Sequence, residues 1–198
     1  MVQMKKRLLV FLVALAGALV LWSQWQPGVR ATEALEREYT LAFDPTVEIL
    51  TARVTSQTSL TYWVYRLYPD GRLNLQYISA VDSKVEKERE MMLSDADMTG
   101  LIGRLVEAGF IEHDHEAWSM QERQGMSSHG GAIQIDLHLD RYRTSPGEEW
   151  IEASKNVVVR NPSSLARRFP GVPVFQAVAE LGMKLSAYAR SMEEKANG

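Results

Sequence analysis

Two hairpin signals and two helical stripes with one apolar face each predict an α+β fold. The expected architecture is an antiparallel sheet of hairpins packed on two helices, in ββαββα-like order, preceded by a hydrophobic leader helix. At 198 residues the chain is long enough for one self-supporting core after such a leader.

The leader comes first. Residues 1–31 carry Lys5, Lys6, Arg7 and Arg30 and no acid, and Leu8 to Trp22 is an unbroken apolar run of 15 residues. Basic, then apolar, then polar is the order of a secretory signal. A helix of that run rises only roughly 22 Å against roughly 30 Å of hydrocarbon, which favours a signal peptide cleaved after Val29-Arg30-Ala31. The alternative is an uncleaved anchor, with Trp22 and Trp25 at the headgroups and the basic residues held inside. Either way the chain is exported, to the periplasm or beyond the cell, or is held in the cytoplasmic membrane through residues 8–22 alone.

Residues 32–45 form a linker or a short polar helix, and residues 46–198 a single α+β domain. "TVEILTARVT" (46–55) is rich in β-branched residues and reads as a strand. "SLTYWVYRLYPDGRLNLQYIS" sets two β-rich runs around Pro69-Asp70-Gly71, where Pro presets φ and Gly takes a positive φ. The charged "DSKVEKERE" either extends a strand or begins a loop.

"LSDADMTGLIGRLVEAGF" is the strongest helix signal. Ser94 caps it, Asp95 and Asp97 suit its positive end, and Met98, Leu101, Ile102, Leu105 and Val106 fall on one face. Gly109 occupies the left-handed position past its end. Residues 112–131 are polar and longer than an ordinary connection. "AIQIDLHLDRY" then alternates apolar with polar as a half-buried strand, and "WIEASKNVVVR" returns as its partner. "NPSSLARRFPGVP" is a punctuated connection into a helix over about residues 173–193, striped by Phe175, Val178, Leu181, Leu185, Tyr188 and Met192.

This succession of hairpin, "LSDADMTGLIGRLVEAGF", alternating strand pair and C-terminal helix resembles small bacterial exported ββαββα families over about residues 60–190. More loosely it resembles the emfourin-type inhibitors of thermolysin-like metalloproteases. The resemblance implies an accessory or inhibitor-like domain and assigns a role to no individual residue. The segment 112–131 and the N-terminal region are additions to that compact pattern.

Charge and composition narrow the function classes. There is no cysteine, so neither a lipidated cysteine nor a disulfide is available. Removing residues 1–31 leaves 18 basic against 25 acidic side chains, a net charge of −7, which disfavours nucleic acid and anionic lipid as partners. No phosphate loop or dinucleotide fingerprint occurs, and "GMSSHGG" fails as a nucleophile elbow because His129 occupies the final Gly position.

Two constellations remain. His113 and His115 project to one side if extended, and His129 or His138 would complete a zinc site, with Glu116 or Asp136 as base. Against that metal-binding or hydrolytic alternative stands a solvated loop with no cofactor. The second constellation is aromatic: Trp63, Tyr65 and Leu67 share one strand face, Tyr62, Val64 and Tyr68 the other. One face meets the helices, and the other is either covered by the 46–55 strand and the N-terminal segment or exposed for docking. Trp63 and Tyr65 are the expected contact residues for a partner protein of the envelope, as aromatics supply anchor area at small entropic cost. Arg167 and Arg168 read as a solvated pair, with anion binding the alternative.

Overall fold

The computed structural model describes residues 37–56, 59–114 and 131–197. Among them seven strands form one antiparallel sheet and three helices accompany it, an α+β fold. The strands are β1 (Glu38–Thr40), β2 (Leu50–Thr55), β3 (Thr61–Leu67), β4 (Arg72–Ser79), β5 (Val85–Met92), β6 (Ala132–Arg143) and β7 (Ile151–Arg160). The helices are α1 (Asp95–Glu107), α2 (Pro162–Arg168) and α3 (Pro173–Asn197). The expected leader, residues 1–31, lies outside the described residues, and no helix among those described is long and apolar enough to cross a membrane.

The strands run in the order β1-β6-β2-β3-β4-β5, with β7 on the far side of β6. The first hairpin forms around the expected turn: Gly71 has φ +84°, and its N–H donates to the Tyr68 carbonyl at 3.0 Å. A Cβ there would fall 2.8 Å from the Leu93 carbonyl oxygen, so the turn needs glycine for conformation and for space. The charged stretch after β4 continues as edge strand β5. Its alternating Glu86, Lys87, Glu88, Arg89 and Glu90 discourage pairing with another chain along that open edge.

Alternation then sorts the faces. Ala52, Tyr65, Leu67, Leu73, Leu75, Ile133, Ile135, Leu137, Leu139, Val157 and Val159 point to one side and join the apolar stripes of all three helices in a single core. Helix α1 begins as its cap requires: Ser94 Oγ accepts from the Asp97 N–H at 3.1 Å and donates to Asp97 Oδ2 at 2.6 Å. Its five stripe residues are all buried, and each fully buried aliphatic side chain contributes roughly 1.5–3 kcal/mol. Gly109, φ +79°, ends the helix.

The structure departs from the sequence expectation in three places. Residues 38–40 form β1 instead of a linker or helix, because Glu38, Tyr39 and Thr40 pair with Arg143, Tyr142 and Arg141 and the Arg143 guanidinium holds the Glu38 carboxylate at 2.6 Å. Five strands precede α1: the expected strand within 46–55 and the hairpin are joined by β1 and by the charged stretch as β5, so the order exceeds ββαββα. The connection before the last helix contains α2, which Pro162 begins at its first turn and which buries Leu165 and Ala166.

Candidate functional site

An open groove of about 590 Å³ lies where the ends of β2 and β6 meet α2 and α3. Local chemistry closes its walls. Gly131 precedes β6 so near to β2 that a Cβ would lie 2.2 Å from the Thr55 carbonyl oxygen. Its own carbonyl accepts from the Asn161 N–H at 2.8 Å. Asn161 adopts φ +51°, a left-handed conformation that Asn tolerates better than most residues, and so turns the chain from β7 into α2. Gln176 Nε2 on α3 donates to the Ala166 carbonyl at 2.9 Å and fixes α2 against α3.

Val54, Ile133, Ala179 and Gly182 give the groove an apolar surface, while Thr55, Ser163, Ser164 and Ser186 add hydroxyls. Arg167 and Arg190 supply its charge, and the described lining includes no carboxylate. Neither guanidinium has an ion-pair partner among the described residues, although the chain is acidic overall. The described lining also holds no His, Cys, Lys or Tyr, hence no group suited to moving a proton near neutral pH. The described lining thus combines apolar area and positive charge with hydroxyls, of which Ser186 Oγ donates to the Gly182 carbonyl and Thr55 Oγ1 to the Ala132 carbonyl.

The expected aromatic pair sits elsewhere and is divided between two environments. Tyr65 is only 2 % exposed, a core residue whose hydroxyl is held in its protonated form by burial and by the Glu193 charge. It is therefore not a surface contact. Trp63 is half-buried on the same face, tilted against Tyr77 with ring centroids 4.8 Å apart. It lines a cleft of about 250 Å³ with Lys87, Arg89, Met192 and Glu193. Strand β2 does not cover the opposite face of β3; it lies beside β3 in the sheet. There Arg53 stacks over Tyr62 at 4.7 Å, Arg66 Nη1 donates to Gln76 Oε1 at 2.6 Å, and both Gln76 and Asn74 donate to Glu88.

Of the four histidines, His115 and His129 lie outside the described residues. His113 is on the helix side of the sheet, its ring edge-on to Phe175 at 6.0 Å and its carbonyl accepting from Lys155 Nζ at 2.8 Å. Burial and the nearby Lys155 charge lower its pKa. His138 alternates with buried Leu137 and Leu139 and so faces the other side, where its Nδ1 lies 2.8 Å from Ser154 Oγ. His113 and His138 therefore lie on opposite sides of the sheet and do not meet on one zinc, while the ligand sets drawn from His115 and His129 fall outside the described residues. Asp140 stands 3.4 Å from His138 Nε2 and Glu152 4.0 Å from Nδ1, at different edges of the ring, so these groups do not converge on one ion either. Among the described residues no group of three or more potential ligands is placed to hold a metal.

A partly exposed polar cluster around the buried Tyr142 escaped the sequence reading. Arg37 Nε donates to Glu112 Oε1 at 2.8 Å, Arg37 Nη1 to the Glu107 carbonyl at 2.9 Å, and the Tyr142 hydroxyl to the same Glu112 oxygen. Burial pushes the Glu112 carboxyl up, but hydrogen bonds from Tyr142 and Arg37 outweigh it and hold the pKa below the ordinary value. Three segments far apart in sequence are tied at the end of α1, a structural latch.

Compared with models of known protein families the chain matches none, and no curated protein matches it in sequence.

Proposed function

We propose that the chain is an exported protein of the cell envelope whose folded domain acts by binding another protein and not by catalysis. The observation that carries this reading is the groove between α2, α3 and the ends of β2 and β6. It combines apolar surface with two arginines that have no ion-pair partner among the described residues, and its described lining offers no proton-transfer group. The basic-then-apolar leader supports export, and the net charge of −7 after residue 31 argues against nucleic acid as the partner. Gly131, the last residue of the long polar segment, lines the groove, so the recognition expected of that segment and the groove meet at one place.

The test is site-specific photo-crosslinking in the native envelope. A crosslinking side chain at Ser186, inside the groove, should give a covalent adduct with another protein, and one at Arg53, on the polar face of the sheet, should not. Adducts at neither position, or equally at both, would remove the groove from consideration. Inhibition of a thermolysin-like protease that Met183→Glu abolishes would specify the binding as inhibitory.

A further inference from the structure

The groove's shape and charge say more about its occupant. Its wall on α3 is a stripe of Ala179, Gly182, Met183, Ser186 and Arg190, which spans roughly 16 Å of helix at about 1.5 Å per residue. An extended chain advances about 3.3 Å per residue, so roughly five residues fit along it. The two cations enter from different ends. Arg167 follows Ala166, whose carbonyl is bound by Gln176 near the start of α3, whereas Arg190 is at the opposite limit of the stripe. Their backbone positions thus lie toward opposite ends of the stripe, with apolar surface between.

That surface is built, not incidental. Gly182 brings α3 against Ile133 so closely that any Cβ would fall 2.5 Å from Ile133 Cδ1, which leaves a trough where a side chain would otherwise project. Met183, 61 % exposed at its edge, is an unbranched and adaptable apolar contact.

We infer that the groove takes an extended acidic peptide segment of a partner protein, with aliphatic or aromatic side chains on the Val54–Ile133–Met183 surface and flanking carboxylates on Arg167 and Arg190. This rests on the protein-binding reading above and names the chemistry of the partner. A lipid surface fits less well, because the surrounding domain is acidic and the apolar surface is a trough and not a protruding face.

The experiment pans a display library of random ten-residue peptides on the purified full-length chain, on Arg167→Glu/Arg190→Glu and on the neutral Arg167→Gln/Arg190→Gln. Both arginines are exposed, so the variants are expected to fold. Enriched peptides should carry Asp or Glu on either side of an apolar residue. They should bind the Glu variant about tenfold more weakly, the Gln variant should fall between, and the Glu variant should select Lys or Arg instead. Enrichment of neutral or basic peptides would overturn the acidic assignment while leaving the crosslinking result, and with it the protein-binding reading, intact. No enrichment, or the same peptides from all three proteins, would also overturn it. So would arginine-dependent binding to phosphatidylglycerol vesicles without peptide binding, which would assign the charge to a membrane surface.

Discussion

Gly182 of α3 and Ile133 of β6 meet without space for a further methyl group: a Cβ on Gly182 would lie 2.5 Å from Ile133 Cδ1. A glycine inside a helix is destabilising by about 1 kcal/mol relative to alanine, so this close approach opposes a local preference. Gly182→Ala should therefore show the opposite sign in two backgrounds. In the natural chain the clash forces Ile133 aside and outweighs the gain in helix propensity, with a net loss of about 1 kcal/mol. In an Ile133→Val background, which lacks the Cδ1 atom, the same change should stabilise by about 0.5–1 kcal/mol. Urea denaturation of the four proteins reads the cycle, and a loss of equal size in both backgrounds would refute the contact.

The Glu112 latch predicts acid sensitivity. Its carboxyl is held below the ordinary value of 4.5, so its contribution to stability is complete above that value and is lost as pH falls through the folded-state pKa. His113 adds an earlier limb: its folded pKa is lowered from 6.5, so stability declines as pH drops below that value and the ring must take up a proton. Thermal melts from pH 8 to 3 should thus fall in two steps. Glu112→Gln should flatten the lower step and His113→Gln the upper, each leaving the other in place.

Helix α1 depends on its first turn. Ser94 both accepts from the Asp97 N–H and donates to its carboxylate, so Ser94→Ala removes two hydrogen bonds and should cost about 1 kcal/mol. Ser94→Asp restores the acceptor and should recover most of that loss in a denaturation midpoint. Leu105→Ala, at a position with no exposure, should cost about 2–5 kcal/mol by comparison.

Local signals were legible wherever one residue type had one physical role. Ser94, Gly109 and the stripe from Met98 to Val106 mark α1 because capping, positive φ and a period of 3.6 leave direct traces in a sequence. Gly71 marks the hairpin for the same reason. What remained hidden depended on distant partners. β1 is only three residues long and exists because Arg143 and Tyr142 lie beside it, more than a hundred residues away in the chain. Alternation divides Trp63 and Tyr65 from Tyr62 and Val64, but it does not say which set faces the helices. The groove joins β2, β6, α2 and α3, and its one local trace was the basic pair at Arg167 and Arg168, of which only Arg167 lines it.

The burial of Tyr65 determines how aromatic substitutions in the first hairpin have to be read. Tyr65 lies under the sheet at 2 % exposure, cross-strand from Leu75 and Ala52, and its removal opens a cavity in the shared core. Tyr65→Ala should therefore cost about 3–5 kcal/mol and abolish partner capture through loss of folded protein, whatever surface the partner uses. Trp63 is different: it is half-buried, flanked by Tyr77 and a small cleft, so Trp63→Ala should cost less and leave a folded domain. If the partner occupies the α2–α3 groove, folded Trp63→Ala retains capture while Met183→Glu loses it. Loss of capture by folded Trp63→Ala, with Met183→Glu unaffected, would transfer the binding surface to the Trp63 cleft.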